Sequence, residues 1–423
     1  MKSVSEILVE GGRPLEGEIT VQGSKNAALP MMAACLLQEG TMTLHGCPRI
    51  TDVFMMEKIL QSLGAKTTWE GHSLRIDCSE ISRCQIADTY AESMRSSVLL
   101  MGSMLARKGC IQITYPGGCQ IGKRPIDVHL AIFREMGACI QEVNHGLCVC
   151  CCKPLKAISF EFPFSSVGAT ENGILAAVGT KGISRFRNCA VEPEITHLCL
   201  LLKKMGAKID GIGTRNLQIE GGKMLQPVEY QVPKDRIVAG TYLSAVAATK
   251  GCCVLHEPPI QEMQSVLKVY EKMGGQWEYF SGKLKVNAVD VKHPVRNLVT
   301  ACYPGFPTDM QSILMSVLLT VSGESCIRET IFENRFHVIS QLQLMGGNIY
   351  SCGQWAYING GLPLHGACVE ARELRGGAAL VVAALSANGV TRIRNAHYIQ
   401  RGYEEMDKRI QELGGVMQIL ESQ

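Results

Sequence analysis

The residues best suited to chemistry are one cysteine in a glycine-rich run and a set of cations and carboxylates at equivalent places in an internal repeat. The run is Pro116-Gly117-Gly118-Cys119-Gln120-Ile121-Gly122, followed by Lys123-Arg124-Pro125. Cationic neighbours favour a thiolate and lower its pKa, which makes Cys119 a candidate reactive thiol. Asn26, Arg95, Gly168, Ile237, Asp309 and Arg375 fall at matching positions, each expected near the start of a helix, with Lys25 and Arg236 one residue earlier in their repeats. Helix N-termini carry unpaired N–H groups and about half a positive charge. Several of them converging with Lys25, Arg95, Arg236 and Arg375 would make a strong anion site. Arginine is a poor N-cap, so capping alone does not account for Arg95 and Arg375. Asp52, Glu194, Arg335 and Arg401 form a second matching set, expected at the starts of other helices. Arg335 and Arg401 bring guanidiniums suited to forked recognition of carboxylate or phosphate.

The matching counts fourteen residues back, and in four units twelve forward, from Gly40, Gly109, Gly182, Gly251, Gly323 and Gly389, the glycines expected to end the first helices. The repeat is marked by a phrase that recurs six times: Leu63-Gly64-Ala65, Met136-Gly137-Ala138, Met205-Gly206-Ala207, Met273-Gly274-Gly275, Met345-Gly346-Gly347 and Leu413-Gly414-Gly415. Its glycines are 73, 69, 68, 72 and 68 residues apart, the signature of one supersecondary unit used six times. Each unit reads as helix, strand, loop, helix, glycine, strand. In the second, 94–108 is expected as a helix, a strand follows Gly109, and 126–136 is the next helix. In the sixth, the helices are LRGGAALVVAALSAN and YEEMDKRIQEL, with VTRIRN between them. The first helices are apolar all round and should be central, with sheets outside them. The second helices carry one apolar stripe, for example Val53, Met56, Leu60 and Leu63, and should lie nearer solvent.

The fold class expected is therefore α/β: a two-domain inside-out α/β barrel of six units, three per domain, with helices buried and sheets outside. A chain of 423 residues exceeds one typical core. A three-and-three division puts the first domain at 25–233, ending in the polar stretch Val228 to Asp235. The second comprises 1–24 plus 234–423, because Leu8 to Thr20 reads as strand that completes it. The second unit breaks the pattern: from Gly109 to Asp127 there are 18 residues where other units have 12. That extra segment holds Cys119, and insertions into a scaffold are where function concentrates.

Hydrophobic residues make up 46%, charged residues 19%, and the net charge is +3. With no basic tail or Lys/Arg block, neither a nucleic-acid nor a membrane partner is expected. The opening MKSVSEILVEGG carries two glutamates where a secretory signal needs an apolar core, and no apolar run reaches membrane-spanning length. A cytoplasmic location follows as the expectation. The 19 cysteines then read as reduced thiols, most of them buried. Alternation puts Cys148, Cys150 and Cys152 on one strand face, and no second CxxC or HxxxH pair completes a tetrahedral metal site.

Six segments carry a resemblance over essentially the whole chain: GSKNAALP (Gly23 to Pro30), PGGCQIGKRPIDVH (Pro116 to His129), SSVGATEN (Ser165 to Asn172), FPTDMQ (Phe306 to Gln311), ETIFENRF (Glu329 to Phe336) and RGYE (Arg401 to Glu404). The chain resembles the enolpyruvyl transferase family, in its UDP-N-acetylglucosamine 1-carboxyvinyltransferase (peptidoglycan) branch. The shikimate-pathway branch shares the six-unit fold but lacks the cysteine loop. What the resemblance implies is transfer of an enolpyruvyl group from phosphoenolpyruvate to the 3-hydroxyl of UDP-N-acetylglucosamine, with no metal or organic cofactor. That reaction is the first committed step of peptidoglycan synthesis, and so bears on the cell wall, cell shape, the cell cycle and division. By the same resemblance Cys119 protonates the methylene carbon and Asp309 takes the hydroxyl proton. Lys25, Arg124 and Arg401 meet phosphate, while Arg335 and Arg375 hold the carboxylate. Asn26, Arg95, Arg124, Pro125, Ile126, Asp127, Val128, Ser166, Val167, Gly168 and Ile331 meet the nucleotide sugar. Val238, Glu373 and Gln400 depart from the usual pattern, each standing where an acid is common. A shikimate-pathway transferase and a low-activity, sugar-nucleotide-sensing paralogue are the alternatives.

Overall fold

A computed structural model describes residues 6–86, 94–115, 125–143 and 146–420. Six helices form the interior of the repeats: Lys25–Cys35, Leu100–Lys108, Val167–Val178, Arg236–Thr249, Thr308–Leu319 and Leu374–Ser386. Four begin with a side-chain cap, from Ser24, Ser166, Asp235 and Glu373, which accepts backbone N–H groups of the first turn. Their bodies are rich in Ala, Leu, Val and Met and are buried on all sides. Residues Ile237 through Thr249, for example, are buried without a break. In one part of the chain Arg236–Thr249, Thr308–Leu319 and Leu374–Ser386 pack on one another. In the other, Leu100–Lys108 packs on Val167–Val178 and Lys25–Cys35 on Pro193–Lys204.

The recurring glycine ends the second helix of each repeat. Gly64, Gly137, Gly206, Gly274, Gly346 and Gly414 all take positive φ, between 76° and 113°. That left-handed cap is open to glycine at no steric cost, which is why the phrase recurs.

Each repeat contributes one sheet. In the fifth, Gly323–Arg328 pairs antiparallel with Trp355–Gly360, which pairs antiparallel with Ile349–Cys352, and Leu298–Val299 adds a parallel edge. The repeat is thus richer than helix, strand, helix, strand: a second hairpin strand and a short parallel edge strand complete it. In the sixth repeat the middle strand is the N-terminal Glu6–Glu10, paired with both Val390–Arg394 and Val416–Leu420. Glu16–Thr20 then supplies the parallel edge beside Cys252–His256. In the first repeat the edge is Glu229–Gln231, parallel to Thr41–His45. Strand burial alternates, as in Lys283–Asn287, so one face of the sheet covers the helices and the other meets solvent.

The described residues divide into two compact units, one of residues 6–22 and 234–420, the other of residues within 23–233. No helix among them is long and apolar enough to cross a membrane. Three local expectations need correction. The helix expected at 94–108 begins with a 3₁₀ turn, Arg95–Leu99. The second helices of the last two repeats are only Ile339–Leu344 and Met406–Glu412, so Arg335 and Arg401 precede them on turns. Burial of most cysteines does not hold either. Among the described residues only Cys35, Cys47, Cys78, Cys189, Cys199 and Cys253 are buried, because the others fall largely on outward sheet faces and loops.

Candidate active site

Counting back fourteen residues from Gly40, Gly109, Gly182, Gly251, Gly323 and Gly389 finds one structural position in five of the six repeats, although only Gly109 caps its helix. Asn26, Gly168, Ile237, Asp309 and Arg375 are each the second residue of a central helix, and Arg95 is the first of its 3₁₀ turn. The two compact units each hold part of the candidate set, and each part stands on its own contacts.

In the unit containing residues 234–420, Asp309 lies between two guanidiniums. Arg335 Nη2 donates to Asp309 Oδ1 at 2.7 Å, and Arg375 donates to Oδ2 from Nη2 at 3.1 Å and Nε at 3.3 Å. The arginine side chains are only 2% and 4% exposed, whereas that of Asp309 is 28% exposed. Burial works against the charge on Arg375, but Asp309, Tyr403 and Asp235 more than offset it and hold the guanidinium above its ordinary range. Nη1 of Arg375 donates to Tyr403 Oη at 3.3 Å, and that hydroxyl lies 2.9 Å from Thr241 Oγ1. Nε of Arg335 is buried without a hydrogen-bond partner among the described residues. An unmade bond at a buried donor costs about 1–3 kcal/mol, which an incoming oxyanion would recover.

Two carboxylates place these groups. Glu329, 2% exposed, accepts from Thr300 Oγ1 at 2.9 Å and Ile331 N at 2.7 Å, and its other oxygen accepts from Thr308 Oγ1 at 2.8 Å. It therefore ties the turn leading to Arg335 to the helix start that carries Asp309. Glu373 accepts from Arg375 N at 2.7 Å and from Gly376 N. The departure from the usual aspartate thus keeps an N-cap. Glu373→Ala should cost about 1 kcal/mol, read as a lower unfolding midpoint, and Glu373→Asp should restore most of it. Val238 is a fully buried core residue of its helix. Gln400 ends the short helix His397–Gln400, with Arg401 as its C-cap and half-buried. Ile331 is exposed.

In the other unit, Lys25 Nζ lies 3.2 Å from Asp52 Oδ2, with side chains 13% and 6% exposed. Asn26 and Arg95 are half-buried, Pro125 and Asp127 exposed, Ile126 half-buried and Val128 buried. Ser166 caps its helix through Ala169 N at 3.4 Å, and Val167 and Gly168 follow, half-buried. One network joins the three segments that carry these residues. Asn172 Nδ2 lies 2.8 Å from His129 Nδ1 and donates to Val98 O at 3.0 Å, and Asn172 Oδ1 accepts from Gly102 N at 2.7 Å. A Cβ on Gly168 would sit 3.2 Å from His129 Cε1, so glycine lets that ring close against the helix start. Cys119 and Arg124 lie outside the described residues.

Sequence reasoning missed Tyr403, Glu329, His129, Asn172 and Glu171 as supporting residues, although each stands inside a segment that carries the resemblance. Glu171 is buried, and desolvation, with Glu194 and Glu192 adding to it, pushes its carboxyl well above the usual range. A carboxyl raised in the folded state is neutral there while the unfolded chain is ionised. Stability therefore falls as pH rises above about 4.3, the unfolded value. Glu171→Gln should match the wild type below that pH and show the higher unfolding midpoint near pH 7. Equal midpoints at both would contradict this.

The family model described as EPSP synthase (3-phosphoshikimate 1-carboxyvinyltransferase) matches residues 9–410. A UDP-N-acetylglucosamine 1-carboxyvinyltransferase 2 from Caldanaerobacter subterraneus subsp. tengcongensis is 40% identical over 406 residues, 96% of this chain and 97% of its own. A UDP-N-acetylglucosamine 1-carboxyvinyltransferase from Endomicrobium trichonymphae is 39% identical, covering 99% of this chain and 100% of its own. The crystal structure of the enolpyruvyl transferase NikO from Streptomyces tendae superposes with a TM-score of 0.89 over 100% of both chains at 20% identity, a likeness of fold. Six repeats built around central helices, a carboxylate clasped by two buried arginines at one helix start, and identity near 40% over whole chains agree: the chain belongs to the enolpyruvyl transferase family, with the UDP-N-acetylglucosamine 1-carboxyvinyltransferases as its relatives.

Proposed function

We propose that the protein transfers the enolpyruvyl group of phosphoenolpyruvate to the 3-hydroxyl of UDP-N-acetylglucosamine and releases phosphate. The relatives at about 40% identity support this choice of substrates. The observation that carries the chemistry is Asp309 held between Arg335 and Arg375 at a helix start. Protonating the methylene carbon of phosphoenolpyruvate makes an oxocarbenium-like centre, which the sugar hydroxyl attacks as it loses its proton. The adduct is a tetrahedral ketal, and loss of a proton and of phosphate restores the alkene. The steps ask for an acid on one side, a carboxylate on the other and several cations. In this reading Cys119 is the acid and Asp309 the base. Arg335, with a buried unpartnered Nε, and Arg375 hold the substrate carboxylate, while Lys25, Arg124 and Arg401 hold the phosphate. Asn26, Arg95, Arg124 to Val128, Ser166 to Gly168 and Ile331 receive the nucleotide sugar. The domain assignment of 25–233 and 1–24 plus 234–423, a cytoplasmic location and a role in wall synthesis belong to the same reading.

The test is release of inorganic phosphate from phosphoenolpyruvate, with UDP-N-acetylglucosamine present and then omitted. Release should require both. Turnover with shikimate 3-phosphate in place of the sugar nucleotide would replace this reading by the shikimate-pathway one, and tight sugar-nucleotide binding without turnover would favour a sensor. The epoxide fosfomycin should add covalently to Cys119, and Cys119→Ser should take up none. An intact mass unchanged under saturating nucleotide sugar would remove Cys119 from the acid role.

A further inference from the structure

The solvent face of the second repeat's sheet carries a row of cysteines that the proposed transfer does not use. Strand Cys110–Thr114 pairs antiparallel with Gly146–Cys150, which pairs antiparallel with Cys139–Val143. The register sets Cys110 directly opposite Cys150, and Cys150 directly opposite Cys139. Ile111 and Val149 are buried on the inner face, while Cys110 and Cys150 are half-buried and Cys139 is exposed on the outer one. Cys84 comes close to Cys110 from the neighbouring segment but packs against the inner core, off the outer row. The parallel bridge from Gln85 to Gln112 lies beside it. Three free thiols, Cys139, Cys150 and Cys110, therefore cross the sheet in line, with Cys148 beside Cys150 along its strand on the same face. No group of three or more ligating side chains among the described residues is placed to hold a metal ion, so a metal clip does not explain the row.

Backbone hydrogen bonding tells the two facing pairs apart. Cys151 N donates to Gly109 O at 2.8 Å, which makes Gly109 and Cys151 a hydrogen-bonded pair and the next pair, Cys110 and Cys150, a non-hydrogen-bonded one. Non-hydrogen-bonded pairs bring Cα atoms to about 4.5 Å and Cβ atoms to the short end of the cross-strand range. A disulfide needs Cα atoms about 4.4–6.8 Å apart and Cβ atoms about 3.5–4.5 Å apart. Cys139 and Cys150, by alternation, are the hydrogen-bonded kind at about 5.5 Å, with Cβ atoms farther apart.

We infer that this row is an oxidative modification site, at which hydrogen peroxide joins Cys110 and Cys150 in a cross-strand disulfide while the strand register is kept. One thiolate takes an oxygen from the peroxide, giving a sulfenic acid, and the peroxide's other oxygen leaves as water. The facing thiolate attacks the sulfenic sulfur. The S–S bond forms, the S–O bond breaks, and hydroxide leaves and is protonated to a second water. Two thiols and one peroxide give one disulfide and two waters, with both electrons passing from sulfur to peroxide. Burial, helped by Cys84, pushes the Cys110 thiol up to about 11, and burial and neighbouring thiols raise Cys150 too. The thiolate that reacts with peroxide is therefore the minor form of both groups near neutrality, and the oxidation is slow.

The test uses the full chain as its Cys119→Ser variant, so that the loop thiol cannot compete and turnover is not the readout. After peroxide, free thiols are alkylated, the protein is digested without reductant, and cross-linked peptides are mapped by mass spectrometry. The expected result is one dominant linkage, Cys110 to Cys150, that dithiothreitol reverses. Adding Cys150→Ser should abolish it, and adding Cys139→Ser should leave it in place. A dominant Cys139–Cys150 linkage, or Cys110 and Cys150 recovered unlinked or as sulfinic and sulfonic acids from protein with native circular dichroism, would overturn the inference.

Discussion

Asp309→Ala should slow turnover by about 10²–10⁴, the usual worth of a positioned proton acceptor, and should also lower the unfolding midpoint. The two losses have separate causes. The first, in the proposed mechanism, is the missing base. The second is that Arg335 and Arg375, at 2% and 4% side-chain exposure, lose the charge both of them clasp. Breaking a buried pair typically costs about 3–5 kcal/mol. Because Asp309 itself reaches solvent, the lower end, about 3 kcal/mol, is expected. Asp309→Asn separates the two effects. Its amide oxygen still accepts one guanidinium bond, so the midpoint should recover part of the way while turnover stays as low as in Asp309→Ala. Phosphate release and thermal unfolding on the same preparations read both quantities. An Asn variant with near wild-type turnover would show that Asp309 positions the arginines and abstracts no proton.

The position of Asp309 was legible in the sequence because packing fixes it. Each central helix must fill one slot between its start and the strand that follows, so counting back fourteen residues from the glycine at the head of that strand lands on the second helical residue in five of the six repeats. Counting forward twelve residues finds Asp52 and Glu194 inside their helices but fails for Arg335 and Arg401. There the chain is held by partners that a local pattern does not contain. Glu329 accepts Ile331 N and so sets the turn before Arg335. Gln22 donates to Gly402 O and accepts from Glu404 N, pinning the turn of Arg401 from 382 residues away. The parallel edge strands were missed for a similar reason: Ser159–Glu161, Glu229–Gln231 and Cys368–Glu370 are three residues each, too short for periodicity to show. Composition misled over the cysteines, since a small hydrophobe on an amphipathic strand is buried on one face only. Glu171, buried between Thr170 and Asn172 in a helix buried on all sides, leaves no periodic trace at all.

Arg375→Lys should reduce kcat/KM for phosphoenolpyruvate by about 10² or more while retaining the charge. The guanidinium makes three bonds, two to Asp309 Oδ2 and one to Tyr403 Oη. An ammonium is a compact point charge on a flexible stem and cannot span Asp309 and Tyr403 in that geometry. Tyr403 keeps its contact with Thr241, so little is lost in the buried hydroxyl pair itself. The stability loss should then be smaller than in Asp309→Ala, because no buried charge is left uncompensated. The kinetic loss should exceed it in energetic terms, because a misplacement of about 1 Å at a substrate-holding cation can cost about 10² in rate. The affinity for UDP-N-acetylglucosamine, read by titration without phosphoenolpyruvate, should change little. Steady-state kinetics with each substrate varied in turn decides the matter. Wild-type kcat/KM in the lysine variant would show that charge alone suffices at this position. A loss shared equally between the two substrates would mean that Arg375 supports the helix start and does not hold the carboxylate.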